Sequence, residues 1–202
     1  MPVPRAELVR RARRVRAIVL DVDGVLTDAQ LIYGARGEAL KSFSARDGFA
    51  IKLAQREGIS VCLLSGRDAA PVRARARDLG IPPRLAVQGS GAKGADLQRL
   101  ASVLRLDLGA VAYIGDDLPD LPALALAGLA ACPADAAPEV RDCCHYVCAA
   151  PGGRGAVREL IARVLDAQGR WRQIVEAGMA GTLRVARSDS PRGKGGRRAE
   201  RS

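Results

Sequence analysis

Compact apolar runs alternate along this chain with longer stretches of helical periodicity. Residues 15–20, 59–64, 110–114 and 129–132 are dominated by Val, Ile, Leu and Ala. Runs this short, bounded by polar residues, read as strands buried on both faces of a sheet. Residues 85–87 and 145–148 are shorter strands of the same kind. Helical periodicity occupies residues 47–57, 69–79, 93–104, 121–127 and 155–167, with Gly58 and Gly80 placed as stops after the first two. Residues 4–14 form a short Arg-rich helix, and 138–141 a turn or short helix. Two runs, 31–33 and 38–43, flank Gly34-Ala35-Arg36-Gly37 and predict a β-hairpin.

Strand and helix alternate throughout, so the expected class is α/β: a Rossmann-like parallel sheet covered by helices on both faces. The expected organisation is one domain over residues 15–172, with a small hairpin flap at about 29–43. A basic segment, 1–14, precedes it. Residues 173–202 are read as a basic, disordered tail, because apolar periodicity fades after Trp171 and Ser, Gly, Arg and Pro take over.

Four predicted strands finish on polar residues, in the order Asp21-Val22-Asp23-Gly24, Ser65-Gly66-Arg67, Lys93 and Gly115-Asp116-Asp117. Ligands of parallel sheets bind beyond the carboxyl ends of the strands, which is where all four segments fall. Each has a plainer use in isolation: an Asp-rich turn, a Ser N-cap, a solvated lysine, an acidic first helical turn. Asp120 is read in that plainer way, as the N-cap or first-turn acid of the next helix. Together the four match metal-assisted phosphoryl transfer. One Asp attacks phosphorus to give an aspartyl-phosphate, and a second acid protonates the leaving oxygen and then activates water. Ser65, with the N–H groups beside it, and Lys93 would hold phosphoryl oxygens. Asp21 and a carboxylate of the Asp116-Asp117 pair supply oxygen ligands suited to Mg²⁺.

Charge changes the picture little. The chain carries a formal +10, but residues 5–16 hold six Arg against Glu7, and residues 184–202 hold six Arg and Lys194 against Asp189 and Glu200. Each end is therefore +5 and residues 17–183 are neutral. No aromatic residues interleave with these arginines, so no nucleic-acid partner is expected. Five cysteines, an odd number, and no secretory apolar segment predict a reduced, cytoplasmic protein. No apolar run is long enough to span a membrane. Cys143, Cys144, His145 and Cys148 are read as structural residues and not as a metal cluster.

The four motifs resemble those of the haloacid dehalogenase-like hydrolases, LDVDGVLTD at 20–28 being the first of them. Residues 40–48, Gln88-Gly89, GDDLPD at 115–120 and PGGRGAVREL at 151–160 narrow the resemblance to the capless branch of 3-deoxy-D-manno-octulosonate 8-phosphate phosphatases. The resemblance implies an Mg²⁺-dependent phosphatase of lipopolysaccharide precursor synthesis acting on a phosphorylated sugar acid. It makes Asp21 the nucleophile and a metal ligand. Asp23 becomes the general acid/base, which lends its backbone carbonyl to the metal, and Asp116 the remaining ligand. Arg46, Asp47, Gly48, Arg67, Arg75 and Lys93 fall where the family contacts substrate. Ser44 and Lys52 occupy substrate-facing positions where Asn and Arg are usual.

Only residues 29–58 separate the first motif from the second strand, leaving no room for a cap domain. The resemblance implies a homotetramer in which neighbours close the open site. Arg154, in a Gly-rich segment read as flexible, would reach a neighbour's substrate. An acylneuraminate 9-phosphate phosphatase, a non-catalytic assembly domain of the same fold and a polynucleotide phosphatase using the basic ends are the alternatives.

Overall fold

The computed structural model describes residues 3–35 and 37–185. In chain order its elements are α1 (Arg5–Arg14), β1 (Ala17–Leu20), β2 (Ile32–Gly34), β3 (Gly37–Leu40), α2 (Ala45–Arg56), β4 (Ser60–Leu64), α3 (Ala70–Asp78), β5 (Ala86–Val87), α4 (Lys93–Leu104), β6 (Val111–Ile114), α5 (Leu121–Leu126), β7 (Leu129–Cys132), α6 (Pro138–Cys143), β8 (Tyr146–Val147), α7 (Ala156–Ala167) and α8 (Trp171–Met179).

Six strands pair in parallel in the order β5-β4-β1-β6-β7-β8. Every residue of β1, β6 and β7 is buried, as continuous apolar runs require when helices cover both faces. On one face α1, α2 and α7 pack together, and α5 packs with α4 and α6 on the other. From β1 the chain steps to β4 on one side, and after β5 it crosses to β6 on the other. The gap beyond the ends of β1 and β6 is therefore the topological switch point of the sheet. Between β1 and β4 the described residues hold only the antiparallel β2–β3 hairpin and α2. That matches the expected capless α/β sheet with a small flap.

The expected boundaries need correction at both ends. The basic N-terminal segment is not separate from the domain: α1 buries Leu8 and Ala12 and packs on α7. Of its arginines, Arg10 and Arg11 pair with Glu7 at 2.7 Å, while Arg11 also donates to the Gly128 carbonyl at 2.7 Å and Arg13 to that of Ala167, at the end of α7, at 3.1 Å. The chain also does not lose structure at 173. Helix α8 buries Ile174, and Leu183 and Val185 lie against the core. Residues 186–202, the rest of the expected tail, lie outside the described residues.

Candidate active site

The N–H of Asp21 still belongs to the sheet, donating to the Ile114 carbonyl at 3.0 Å. The chain then leaves β1 in a turn closed by the N–H groups of Val25, Leu26 and Thr27 on the Val22 carbonyl. Gly24 sits in this turn at φ +84°, and a Cβ there would lie 2.0 Å from Asp116 Oδ2. Only glycine lets the loops after β1 and β6 approach so closely. Gly115 is equally constrained, since a Cβ would fall 2.4 Å from the carboxyl carbon of Asp120.

Lys93, the first residue of α4, reaches back to this point. Its Nζ lies 2.9 Å from Asp21 Oδ1 and 2.6 Å from Asp120 Oδ1. Asp120 is buried and fully engaged. Its Oδ1 also accepts from the Tyr113 hydroxyl at 2.5 Å, and its Oδ2 accepts the N–H groups of Asp116 and Asp117 at 3.0 and 3.2 Å. Asp120 is thus more than the helix-start acid expected from sequence: it fixes both the lysine and the Gly-Asp-Asp loop. The local part of that expectation stands, since Asp120 closes a capping box with Asp117.

Asp21, Asp116 and Asp120 bring carboxylate oxygens within 4.8 Å of one another. Burial, and then repulsion from Asp120, raises the Asp21 carboxyl from 3.8 to about 7; burial, and then Asp21, raises Asp116 to about 8. Burial alone would lower the Lys93 ammonium, but the two carboxylates beside it more than offset this and raise it. With Asp120 committed to four donors, the carboxylates of Asp116 and of Asp21, one of whose oxygens Lys93 holds, are the pair left to bind a cation. A hard divalent cation suits that pair and would relieve their repulsion.

A cavity of about 350 Å³ opens onto this cluster. Asp21, Asp23, Arg67, Lys93 and Asp116 line it, with Gly66, Ser90 and Asp117. Ser65 lies beneath, buried, its Oγ accepting the Arg67 N–H at 3.1 Å. The remaining substrate residues expected from sequence lie elsewhere in this chain. Gly48, Lys52 and Arg75 line a separate cavity of about 940 Å³ with Leu183 and Val185. Arg46 and Arg154 line another, of about 830 Å³, along α7.

Two of these residues have structural roles that account for their place. Ser44 Oγ accepts the Asp47 N–H at 3.3 Å as the N-cap of α2. Asp47, only 1 % exposed, accepts the N–H groups of Gly155 and Arg158 at 3.1 and 2.8 Å and so caps the start of α7. The expectation that Asp47 meets substrate is corrected within this chain, because its carboxylate is turned into the α2–α7 seam. The Gly-rich segment before α7 is not free either. Gly153 N–H donates to the Val25 carbonyl at 2.9 Å, and a Cβ on Gly152 would lie 1.8 Å from the Gly24 carbonyl oxygen. These glycines permit close packing against the Asp23–Asp28 turn, while the Arg154 side chain itself is exposed, 3.9 Å from Asp28.

Sequence reasoning missed Lys41, Asp120 and Tyr113 as parts of the site. A tyrosine inside an apolar strand was the one available signal, because a buried hydroxyl needs a partner.

Comparison with known proteins agrees with this architecture. Residues 38–128 match the family model described as haloacid dehalogenase-like hydrolase. The chain is 43 % identical over 164 residues to the 3-deoxy-D-manno-octulosonate 8-phosphate phosphatase of Haemophilus influenzae, covering 80 % of this chain and 88 % of that one. The chain belongs to the haloacid dehalogenase-like hydrolases. It is a phosphomonoester hydrolase of the same branch as that relative. The cobalt-bound structure of the Haemophilus influenzae enzyme superposes with a TM-score of 0.78 at 42 % identity, covering 80 % of this chain and 93 % of that one. The Moraxella catarrhalis enzyme, solved with a magnesium ion, a phosphate ion and a KDO molecule, gives 0.83 at 34 % identity, covering 87 % and 99 %.

Proposed function

We propose that this protein hydrolyses 3-deoxy-D-manno-octulosonate 8-phosphate to the free sugar acid and inorganic phosphate, a step of lipopolysaccharide precursor synthesis. The observation that carries the reading is the convergence of Asp21, Lys93 and Asp116 at the switch point of a chain so similar to phosphatases of that name. Lys93 holds one oxygen of Asp21 and leaves the other to attack phosphorus. As that bond forms, the ester P–O bond breaks and Asp23 gives its proton to the departing sugar oxygen. Asp23 then takes a proton from the water that attacks the aspartyl-phosphate, releasing phosphate and restoring Asp21. Lys93 and the backbone beside Ser65 and Gly66 stabilise the phosphoryl oxygens. Asp21 and Asp116, with the Asp23 backbone carbonyl, would hold Mg²⁺, which supplies charge neutralisation for the phosphoryl group.

The wider reading is a cytoplasmic homotetramer with no nucleic-acid partner. Ile32, Tyr33 and Leu40 of the hairpin are 49, 63 and 61 % exposed, an apolar patch suited to contact between copies. Among the described residues no helix is long and apolar enough to cross a membrane. In an assembly, Ser44, Arg46, Gly48, Lys52, Arg75 and Arg154 would serve a neighbour's substrate, since they lie outside this chain's own phosphoryl cavity.

A phosphate-release screen over phosphorylated sugars, eight- and nine-carbon sugar acids included, tests the reading. The eight-carbon acid is expected to lead, with activity abolished in Asp21→Asn protein of unchanged thermal stability. Preference for a neutral sugar phosphate, or an active Asp21→Asn protein, would overturn it.

A further inference from the structure

The hairpin reaches the phosphoryl site through one side chain. Lys41, the residue after β3, buries its side chain completely (0 % exposed) and pairs its ammonium with Asp23 Oδ1. The same Nζ lies 2.7 Å from Glu38 Oε1. Glu38 in turn faces Arg67 at 3.7 Å across the cavity mouth. Among the described residues, Lys41–Asp23 and Arg67–Glu38 are the ion pairs that join the hairpin to the sheet, and they join it at the first and second motif loops.

Asp23 has no comparable partner on the sheet side. Unlike Asp21, whose oxygen is fixed by Lys93, its carboxylate is held by Lys41 alone among the described residues. A carboxyl that must face a departing oxygen and later a water gains most from a fixed orientation, because small misplacements of a catalytic group cost large factors in rate. A solvated lysine at the foot of a flap would do none of this, but a fully buried one has given up its hydration for these two contacts.

We propose that Lys41 is a positioning residue for Asp23. From the foot of the hairpin it turns the Asp23 carboxyl toward the bond between phosphorus and the departing oxygen, and Glu38 fixes the lysine in turn. The flap is thereby part of the machinery for leaving-group departure as well as a surface for contact between subunits. This inference rests on Asp23 serving as the acid for the leaving group, as described above.

The test compares two leaving groups in single turnovers, with enzyme in excess, so that departure is read before the hydrolysis of the aspartyl-phosphate that both substrates share. A sugar alkoxide needs a proton to depart, whereas p-nitrophenolate departs without one. In Lys41→Met protein, the single-turnover rate of sugar release from 3-deoxy-D-manno-octulosonate 8-phosphate is expected to fall by about a hundredfold, the scale of general acid catalysis, with KM within about threefold. With p-nitrophenyl phosphate the single-turnover release of p-nitrophenolate is expected to stay within about fivefold of wild type. Lys41→Arg should recover much of the sugar-phosphate rate. Glu38→Gln should lose it in the same selective sense but less, and serves as the probe if Lys41→Met does not fold. Equal losses on both substrates, a change confined to KM, or no loss would overturn the proposal. The underlying reading has its own control: wild-type protein must hydrolyse the sugar phosphate, and in the same single turnovers Asp23→Asn must slow sugar release far more than release of p-nitrophenolate. If that control fails, the acid role of Asp23 fails; if it holds and Lys41→Met loses both activities equally, only the positioning role of Lys41 fails.

Discussion

Gly24 and the two carboxylates it separates set the limits of this site. Alanine at 24 would need a left-handed conformation and would drive its methyl into Asp116, so Gly24→Ala is expected to abolish turnover while costing the fold on the order of 1–3 kcal/mol. Calorimetry with and without Mg²⁺ checks this: the variant should lose the stabilisation that Mg²⁺ gives the wild type. The raised carboxyls make a second prediction. Asp21 and Asp116 titrate near 7 and 8 in the fold and near 3.8 when unfolded, so between those values the metal-free fold holds protons that the unfolded chain has released. Stability of the metal-free protein should therefore fall as pH rises through that window. Mg²⁺ competes with the same protons, so its gain in Tm should be larger at a pH of about 8.5 than at about 6. A gain independent of pH would mean that Mg²⁺ binds elsewhere. Asp21, Asp23 and Asp116 were legible as candidates because parallel strands leave the residues that follow them at one edge, and Lys93 because it opens the helix after β5 at that same edge. Lys41 and Asp120 were not: each acts across a tertiary approach that no local pattern encodes, and Asp120 also had a sufficient local use in a capping box.

Among the elements, α2 and α7 show how a motif residue can serve the scaffold. Asp47 leaves α2 to cap α7 from inside the core, and its replacement strands two backbone donors there. Asp47→Ala should cost about 2–3 kcal/mol in urea unfolding, the penalty for unpaired buried groups. A cost below about 0.5 kcal/mol would show that Asp47 does not hold α7 in place. The strands and helices were readable nearly to the residue, because burial on both faces forces continuous apolar runs and glycine ends the helices. Helix α8 was missed although Trp171, Ile174, Val175 and Met179 stand at helical spacing, because that run is short and leads directly into the Gly-, Ser- and Arg-rich end of the chain.

For the whole molecule, the +10 charge is confined to the two chain ends, so removing one end separates charge from catalysis. A chain ending at Val185 keeps every described contact, and its kcat/KM on small sugar phosphates should stay within about threefold of wild type. Ending at Gly181 removes Leu183 and Val185 from the wall of the Lys52 and Arg75 cavity, and should lower stability as well as activity. Equal stability of the two truncated proteins would show that residues 182–185 add nothing to the fold.

The packing of Gly152 and Gly153 against the turn after Asp23 has a consequence for how the protein is made. Asp21 is encoded near the start of the chain, yet the turn that follows it is backed by a loop about 130 positions later. Its strand, β1, lies between β4 and β6, so even its flanks arrive late in synthesis. A ribosome-bound chain that stops short of residue 153 therefore presents Asp21 and Asp23 without their backing, whatever secondary structure has already formed. Phosphatase competence arises only when the final third of the domain leaves the exit tunnel, and a chain cut short before that point is an inert product and not a partial enzyme.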